Sequence, residues 1–337
     1  AGARGRPEMR APLPPPRPCP RRAGVTQAPA TPKAKRGALR AAAALAPGLA
    51  RHLSPAPSER AALAARDRPL ARPEAPEVVF LIPLVGRHQV GDWAAVSARL
   101  ARTVESFRRQ SSPRWRALVC GQDAPEGLPA DERVRLLPFA ARAAGNDKWA
   151  KLAALARALS GQDVMQGYAM PFDADDLLAP DAVAEMVARR ARGGYLATRG
   201  YVMDAAAGLW AEARPQSLAE PGQKAFWKLC GSCAAFGFDL RETARDTALI
   251  GAITAHEHRM FPYLARLAGR PLAPLRGPAA LYVVNHGENF GARRGRTGFK
   301  TRFVHRFALS GPAAARARAT FGADGAHPGV ALAPGSG

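Results

Sequence analysis

An α/β fold, with a mostly parallel sheet flanked by helices, is what this sequence predicts. Two observations carry that expectation. Continuous apolar runs alternate with helix-period stretches from Glu77 onward, and one of those runs ends abruptly in a cluster of carboxylates. Apolar runs without alternation suit strands covered on both faces, as in parallel sheets. Strands alternating with helices build the βαβ units from which such sheets are made.

The elements follow in order. Val78-Val79-Phe80-Leu81-Ile82 is a strand stopped by Pro83. Trp93 to Arg109 is a helix, because Val96, Leu100, Val104 and Phe107 recur at spacings of three and four. Pro113 ends that stretch, and Trp115 to Cys120 is a second strand closed by Gly121. Val134 to Leu137 is a third strand. Lys148 to Leu159 is a helix with Leu152, Leu155 and Leu159 on one face. Gly167 to Phe172 is a fourth strand. Pro180 to Arg190 is a helix opened by proline. Tyr195 to Met203 reads as one further strand.

The fourth strand runs into Phe172-Asp173-Ala174-Asp175-Asp176-Leu177-Leu178, three carboxylates within four residues. Crowding like charges is costly unless a cation neutralises them. Hard divalent cations such as Mg²⁺ or Mn²⁺ take oxygen ligands and bridge carboxylates to phosphates. A solvated turn, with Asp176 or Asp181 capping the next helix, is the plainer alternative. In open α/β sheets ligands sit beyond the carboxyl ends of the strands, and this cluster falls at such an end.

Charge divides the chain. Residues 1–76 carry 15 Lys+Arg against 4 Asp+Glu and residues 291–337 carry 8 against 1, of a total formal charge of +22. The span 77–290 therefore keeps only about +4, an ordinary globular balance. Rich in Ala, Pro and Arg, residues 1–76 are expected to be a disordered basic arm, with 77–290 a single catalytic domain and 291–337 a partly disordered basic extension. A basic arm suits peripheral contact with an anionic membrane, and no specific nucleic-acid motif accompanies it. Four cysteines, Cys19, Cys120, Cys230 and Cys233, are too few for a disulfide scaffold and fit a reducing cytoplasm. No run of 18 apolar residues predicts a membrane span. The Ala-rich stretch Ala38–Ala50 is short, interrupted by Arg40, and far from the start of the chain.

The order of these features carries a resemblance. An apolar strand ends in proline, a helix ends in Thr103-Val104-Glu105-Ser106-Phe107-Arg108-Arg109-Gln110, and the acidic motif is followed by Pro180-Asp181. Much farther on stands Tyr282-Val283-Val284-Asn285-His286-Gly287-Glu288-Asn289. Over about residues 77–290 the chain resembles the family 2 type of nucleotide-sugar glycosyltransferases, which have the Rossmann-like GT-A fold. The resemblance implies metal-assisted, inverting transfer of a sugar from a nucleoside-diphosphate sugar to a hydroxyl of a glycan or lipid-linked acceptor.

It also implies residue roles. Asp173 and Asp175 match the Asp-x-Asp pair that holds nucleotide and divalent cation, Mn²⁺ or Mg²⁺, and His286 matches a distant histidine that completes such sites. Asp176 becomes a helix-start residue behind them. The acceptor loop matches Cys230-Gly231-Ser232-Cys233-Ala234-Ala235-Phe236-Gly237, and the general base falls on Glu257, with Asp246 as the alternative. His258 stands where a carboxylate is usual. Asp123, Lys148 and Arg87 are candidate nucleotide-sugar contacts. Asp123 departs from the family, since Gly121-Gln122-Asp123-Ala124-Pro125 replaces its Asp-Asp-Gly-Ser.

Other chemistries compete for the same residues. Cys230 and Cys233 with His256 and His258 form a candidate zinc set. A metal-dependent phosphohydrolase would use the Asp cluster but needs more His and Asp ligands at other strand ends. A nucleic-acid binder would draw on the excess charge, which lies in the arms.

Overall fold

The computed structural model describes residues 26–141, 145–241, 245–287 and 297–322. Three helices come first: α1 (Lys33–Leu45), α2 (Pro47–His52) and α3 (Pro57–Arg66). The alternating region follows with β1 (Glu77–Pro83), α4 (Trp93–Arg108), β2 (Trp115–Gly121), β3 (Val134–Pro138), α5 (Lys148–Ala158) and β4 (Gln166–Pro171). Next are β5 (Leu177–Leu178), α6 (Ala182–Arg189), β6 (Gly194–Leu196), β7 (Gly200–Asp204), β8 (Leu209–Ala213) and β9 (Ala234–Asp239). The chain continues through α7 (Arg245–Thr254), α8 (Phe261–Leu267), β10 (Ala273–Pro274), β11 (Ala280–Val284), α9 (Thr297–Arg306) and α10 (Gly311–Phe321).

Seven strands form the central sheet in the order β10-β6-β9-β4-β1-β2-β3. Strands β3, β2, β1 and β4 are mutually parallel, and β9 runs against β4 and β6. The α/β class with a mostly parallel sheet flanked by helices is therefore correct. The chain lays β2 and β3 on one side of β1, then crosses to place β4 on the other. That reversal makes a switch point between β1 and β4, and open α/β sheets bind their ligands beyond the carboxyl ends of the strands at such a point.

Aromatic packing holds this end of the sheet in place. Phe80 of β1 stacks on Phe107 of α4 with ring centroids 4.0 Å apart. Phe172, the residue before Asp173, meets both rings edge-on at 5.7 and 5.2 Å. Emptying such a position costs about 3–5 kcal/mol, so the acidic motif is tied directly to the core.

A second sheet, in the order β5-β11-β7-β8, lies beside the first. Its presence corrects the single strand expected over Tyr195–Met203. That stretch is β6 in the large sheet and β7 in the small one, and the chain changes sheet at Ala197–Arg199.

The arm expectation is also corrected. Leu39, Ala43, Ala50, Ala62 and Leu63 are buried, and α3 packs on α7 and α8. Glu59 is fully buried, yet its carboxylate accepts bonds from Thr31 Oγ1 (2.7 Å), Tyr263 Oη (2.9 Å) and the Ala56 N–H (2.8 Å). Three donors offset the cost of burying it. Residues 33–66 thus belong to the folded body despite their composition, while 1–25, including Cys19, lie outside the described residues.

The C-terminal extension is partly corrected in the same way. Helix α9 packs on β7, β8 and β11, and Phe321 of α10 meets Tyr201 and Trp210. Residues 323–337 lie outside the described residues. Among the described residues no helix is long and apolar enough to cross a membrane.

Candidate functional site

Asp173, Ala174 and Asp175 form the turn that leaves β4 at the switch point. The Thr103 hydroxyl of α4 lies 3.0 and 2.8 Å from the carbonyls of Ala174 and Asp176, pinning that turn. Immediately afterwards β5 pairs antiparallel with β11, matching Leu177 to Leu281. Because β11 runs the opposite way, its carboxyl end returns alongside the motif. Asn285 then takes a left-handed conformation (φ 61°), held by its side-chain bond to Asp204 Oδ1 at 2.9 Å. The result sets His286 Nε2 2.8 Å from Asp175 Oδ2. Residues 111 positions apart are thus joined by one strand pairing. Glu288 and Asn289 of the same segment lie outside the described residues.

The three carboxylates have different surroundings. Asp173 Oδ1 lies 2.5 Å from Nζ of Lys148, the first residue of α5. Burial works to raise Asp175, but the bond from His286 and the charges of His286, Lys148 and Arg99 outweigh it and hold this carboxyl below the usual range. Asp176 has no exposed surface. Burial first, then the charges of Asp175 and Asp173, push its carboxyl well above the usual range. It accepts from Ser232 Oγ at 2.6 Å and Cys230 Sγ at 3.2 Å. The expectation of Asp176 as a helix-start residue is therefore corrected: it is a sealed anchor ahead of β5. Ser232 also accepts the Asp173 N–H at 2.8 Å, so the loop Cys230–Cys233 and the acidic motif fold as one unit.

Gly231 keeps the flank of Asp173 open. A Cβ there would lie 3.1 Å from Asp173 Oδ2 and 3.7 Å from Lys148 Nζ. Two residues that sequence reasoning missed complete the surroundings. Lys300 of α9, from the presumed solvated extension, bonds Tyr282 Oη and stands 4.3 Å from that ring's centre. Burial lowers the Lys300 ammonium below its ordinary range, against the opposing pull of Asp176 and Asp173. Arg99 of α4 donates to the His286 carbonyl at 3.0 Å. No periodicity or motif marks Lys300; only the tertiary path of α9 brings it here.

Asp123 and Arg87 also meet at this end of the sheet. Arg87 follows β1, Asp123 follows β2, and the Arg87 N–H donates to Asp123 Oδ2 at 2.8 Å. Buried Lys151, one turn beyond Lys148, bonds the Leu84 carbonyl at 2.5 Å and lies 2.9 Å from Asp147 Oδ1. It fastens α5 to the end of β1.

The two base candidates part company. Glu257 is exposed at the start of a 3₁₀ turn, His258–Met260. The adjacent His258 ring lies within electrostatic reach of Lys148 and Lys300. Asp246 is engaged elsewhere. Its carboxylate pairs with Arg270 at 2.8 Å and accepts the Asp239 N–H at 2.9 Å. Asp239 pairs with Gln166, the first residue of β4, whereas Asp173 follows the last. A strand of that length spans roughly 20 Å, so Asp246 is a structural ion pair on the opposite rim.

The zinc set is likewise dispersed. His256 Nε2 bonds Ser58 Oγ at 2.7 Å, His258 lies against the Lys228 backbone, and Cys230 bonds Asp176. Among the described residues no group of three or more His, Cys, Asp or Glu is placed to hold a metal ion.

Burial above all lowers the His258 pKa, to about 4. An unfolded histidine titrates near 6.5, so the folded state binds fewer protons between those values. Stability is therefore expected to fall as pH drops from about 6.5 to about 4, by roughly 3 kcal/mol, and to level below that for this group. Urea unfolding across that window checks it. His258→Gln should flatten the slope, and an unchanged slope would rule His258 out as its source.

The chain is similar in structure to S. aureus TarS. The crystal structure of TarS 1-349 matches with 7% identity and a TM-score of 0.33, covering 63% of this chain and 61% of that one. This chain spans less than two thirds of that length, and a likeness at this score adds nothing to the topology above. No family model matches the chain, and no curated protein does.

Proposed function

We propose that this chain is a glycosyltransferase that moves a sugar from a nucleoside-diphosphate sugar to an acceptor hydroxyl. One observation carries the reading: Asp173, Asp175, Lys148 and His286 are paired at the switch point with Lys300 within electrostatic reach, and Asp123 and Arg87 meet at the neighbouring strand ends. A departing nucleoside diphosphate gains negative charge, and preorganised cations there stabilise it. Lys148 and Lys300 supply such charge. Asp123 and Arg87 are assigned to the nucleoside side.

Mn²⁺ or Mg²⁺ fits this site in one way. Such ions are held by one or two carboxylates plus substrate phosphates, so a three-residue protein cage is not required. Asp173 and Asp175, each with a side chain 26% exposed, are the two carboxylates, and the glycine at 231 leaves room beside the first. The cation would add charge neutralisation at the diphosphate. Glu257 takes the acceptor proton in this scheme, and an inverted anomeric centre follows from a single displacement.

The test incubates the chain with a panel of nucleoside-diphosphate sugars, with and without Mn²⁺, and measures released nucleotide and protein melting temperature. One nucleotide class is expected to stabilise the protein and to be released in an acceptor-dependent manner. No stabilisation across the panel would overturn the reading. Release of nucleoside monophosphate and sugar phosphate in place of nucleoside diphosphate would instead make the chain a metal-dependent phosphohydrolase.

A further inference from the structure

We infer that the outer surface of α1 and α2 docks on an anionic lipid bilayer. Helix α1 turns Leu39 and Ala43 inward. Its opposite face carries Ala38, Ala41, Ala44 and Leu45, all exposed and all apolar. A helix face turned to water ordinarily carries polar side chains, and over these two turns Arg40, at the margin of the face, is the one exposed polar side chain among the described residues. The bend into α2 then adds Leu49 and Leu53. Leu45, Leu49 and Leu53 are 87%, 61% and 41% exposed. Of seven large apolar side chains exposed among the described residues, these three fall within nine positions. That clustering, not the exposure of any single leucine, needs a partner.

Charge identifies the partner. Residues 33–53 contain five Lys or Arg and no Asp or Glu. Lys33 and Arg40 are exposed beside the apolar face, and Arg51 already pairs with Asp67. Basic side chains flanking an apolar helix face match a negatively charged headgroup layer over acyl chains. An acidic protein surface would satisfy the cations but leave the leucines wet.

The surface is linked to the segment that carries Glu257. Helix α1 packs on α8, which follows the Glu257 turn, and the Ala28 N–H donates to the Ala255 carbonyl at 2.8 Å. A bilayer bound here lies one helix layer from the proposed acceptor side. The docking itself does not depend on the transfer reading.

The experiment is co-sedimentation of the full chain with two vesicle types: phosphatidylcholine alone, and phosphatidylcholine with phosphatidylglycerol. Binding to the anionic vesicles only is expected, weakening with salt. Leu45→Ser/Leu49→Ser/Leu53→Ser should lower that partition by about a hundredfold, because inserted leucines are lost. Lys33→Gln/Arg40→Gln should lower it by about tenfold or more. Leu45→Ser alone should reproduce part of the loss, and it tests the idea if the triple variant fails to fold. Equal binding to neutral vesicles, or undiminished binding by a folded leucine variant, overturns the inference. So does a leucine-dependent dimer in sedimentation velocity, which would make a second copy the partner.

Discussion

Asp175→Asn is expected to remove most cation-dependent binding of a nucleoside diphosphate, a loss of a few kcal/mol if the carboxylate contacts the ion. His286, Lys148 and Arg99 hold the carboxyl ionised against burial, and an amide offers none of that charge to a cation. Asp173→Asn should weaken binding as well, though it also releases Lys148 from its 2.5 Å ion pair toward the phosphates. Asp176→Asn separates site from scaffold. Its carboxyl is sealed behind Ser232 and Cys230, so the substitution should change stability and leave nucleotide affinity close to normal. Calorimetric titration with a nucleoside diphosphate and Mn²⁺ measures all three. Unchanged affinity in both Asp173→Asn and Asp175→Asn would remove the acidic motif from the donor site.

The sequence made the central sheet legible because its strands are buried on both faces. Val78–Ile82 and Trp115–Cys120 read as strands, and they are β1 and β2. Phe172 could be read as the end of a strand but not as an edge-on partner of Phe80 and Phe107. The arm misled for a physical reason. Its inward face sets Ala43, Ala50 and Ala62 among only two leucines, Leu39 and Leu63, which leaves little apolar signal, and its central contact is a buried carboxylate. Average composition cannot distinguish Glu59 satisfied by Tyr263 from Glu59 in water.

The candidate site divides along the same line. Asp173, Asp175, Lys148 and His286 are gathered together, and Asp123 and Arg87 meet each other. These residues follow strands, or in the case of Lys148 open a helix, so chain order and the parallel topology already constrain them. Asp246 looked equivalent to Glu257 along the chain, but β9 runs antiparallel to β4 and carries its neighbour Asp239 to the far rim. Lys300 could not be found at all. It reaches Tyr282 only because α9 folds back over the small sheet.

Glu257→Gln is expected to slow transfer by about 10²–10⁴-fold while leaving donor binding nearly intact. A general base acts on the acceptor hydroxyl, so its loss falls on turnover and spares the diphosphate contacts. Glu257 is exposed, and exchanging its carboxylate for an amide there should not disturb the fold. Asp246→Asn provides the contrast. It breaks a buried pair with Arg270, so stability should fall by about 3–5 kcal/mol while the rate per folded molecule holds. Measuring turnover at saturating donor, together with the melting temperature of each variant, separates the two effects. The anomeric configuration of the product supplies an independent check, since one displacement driven by one base inverts the sugar carbon. Full turnover in Glu257→Gln would take the base role from this residue. A product that keeps the donor's configuration would require two displacements and a nucleophile that the single-base scheme does not contain.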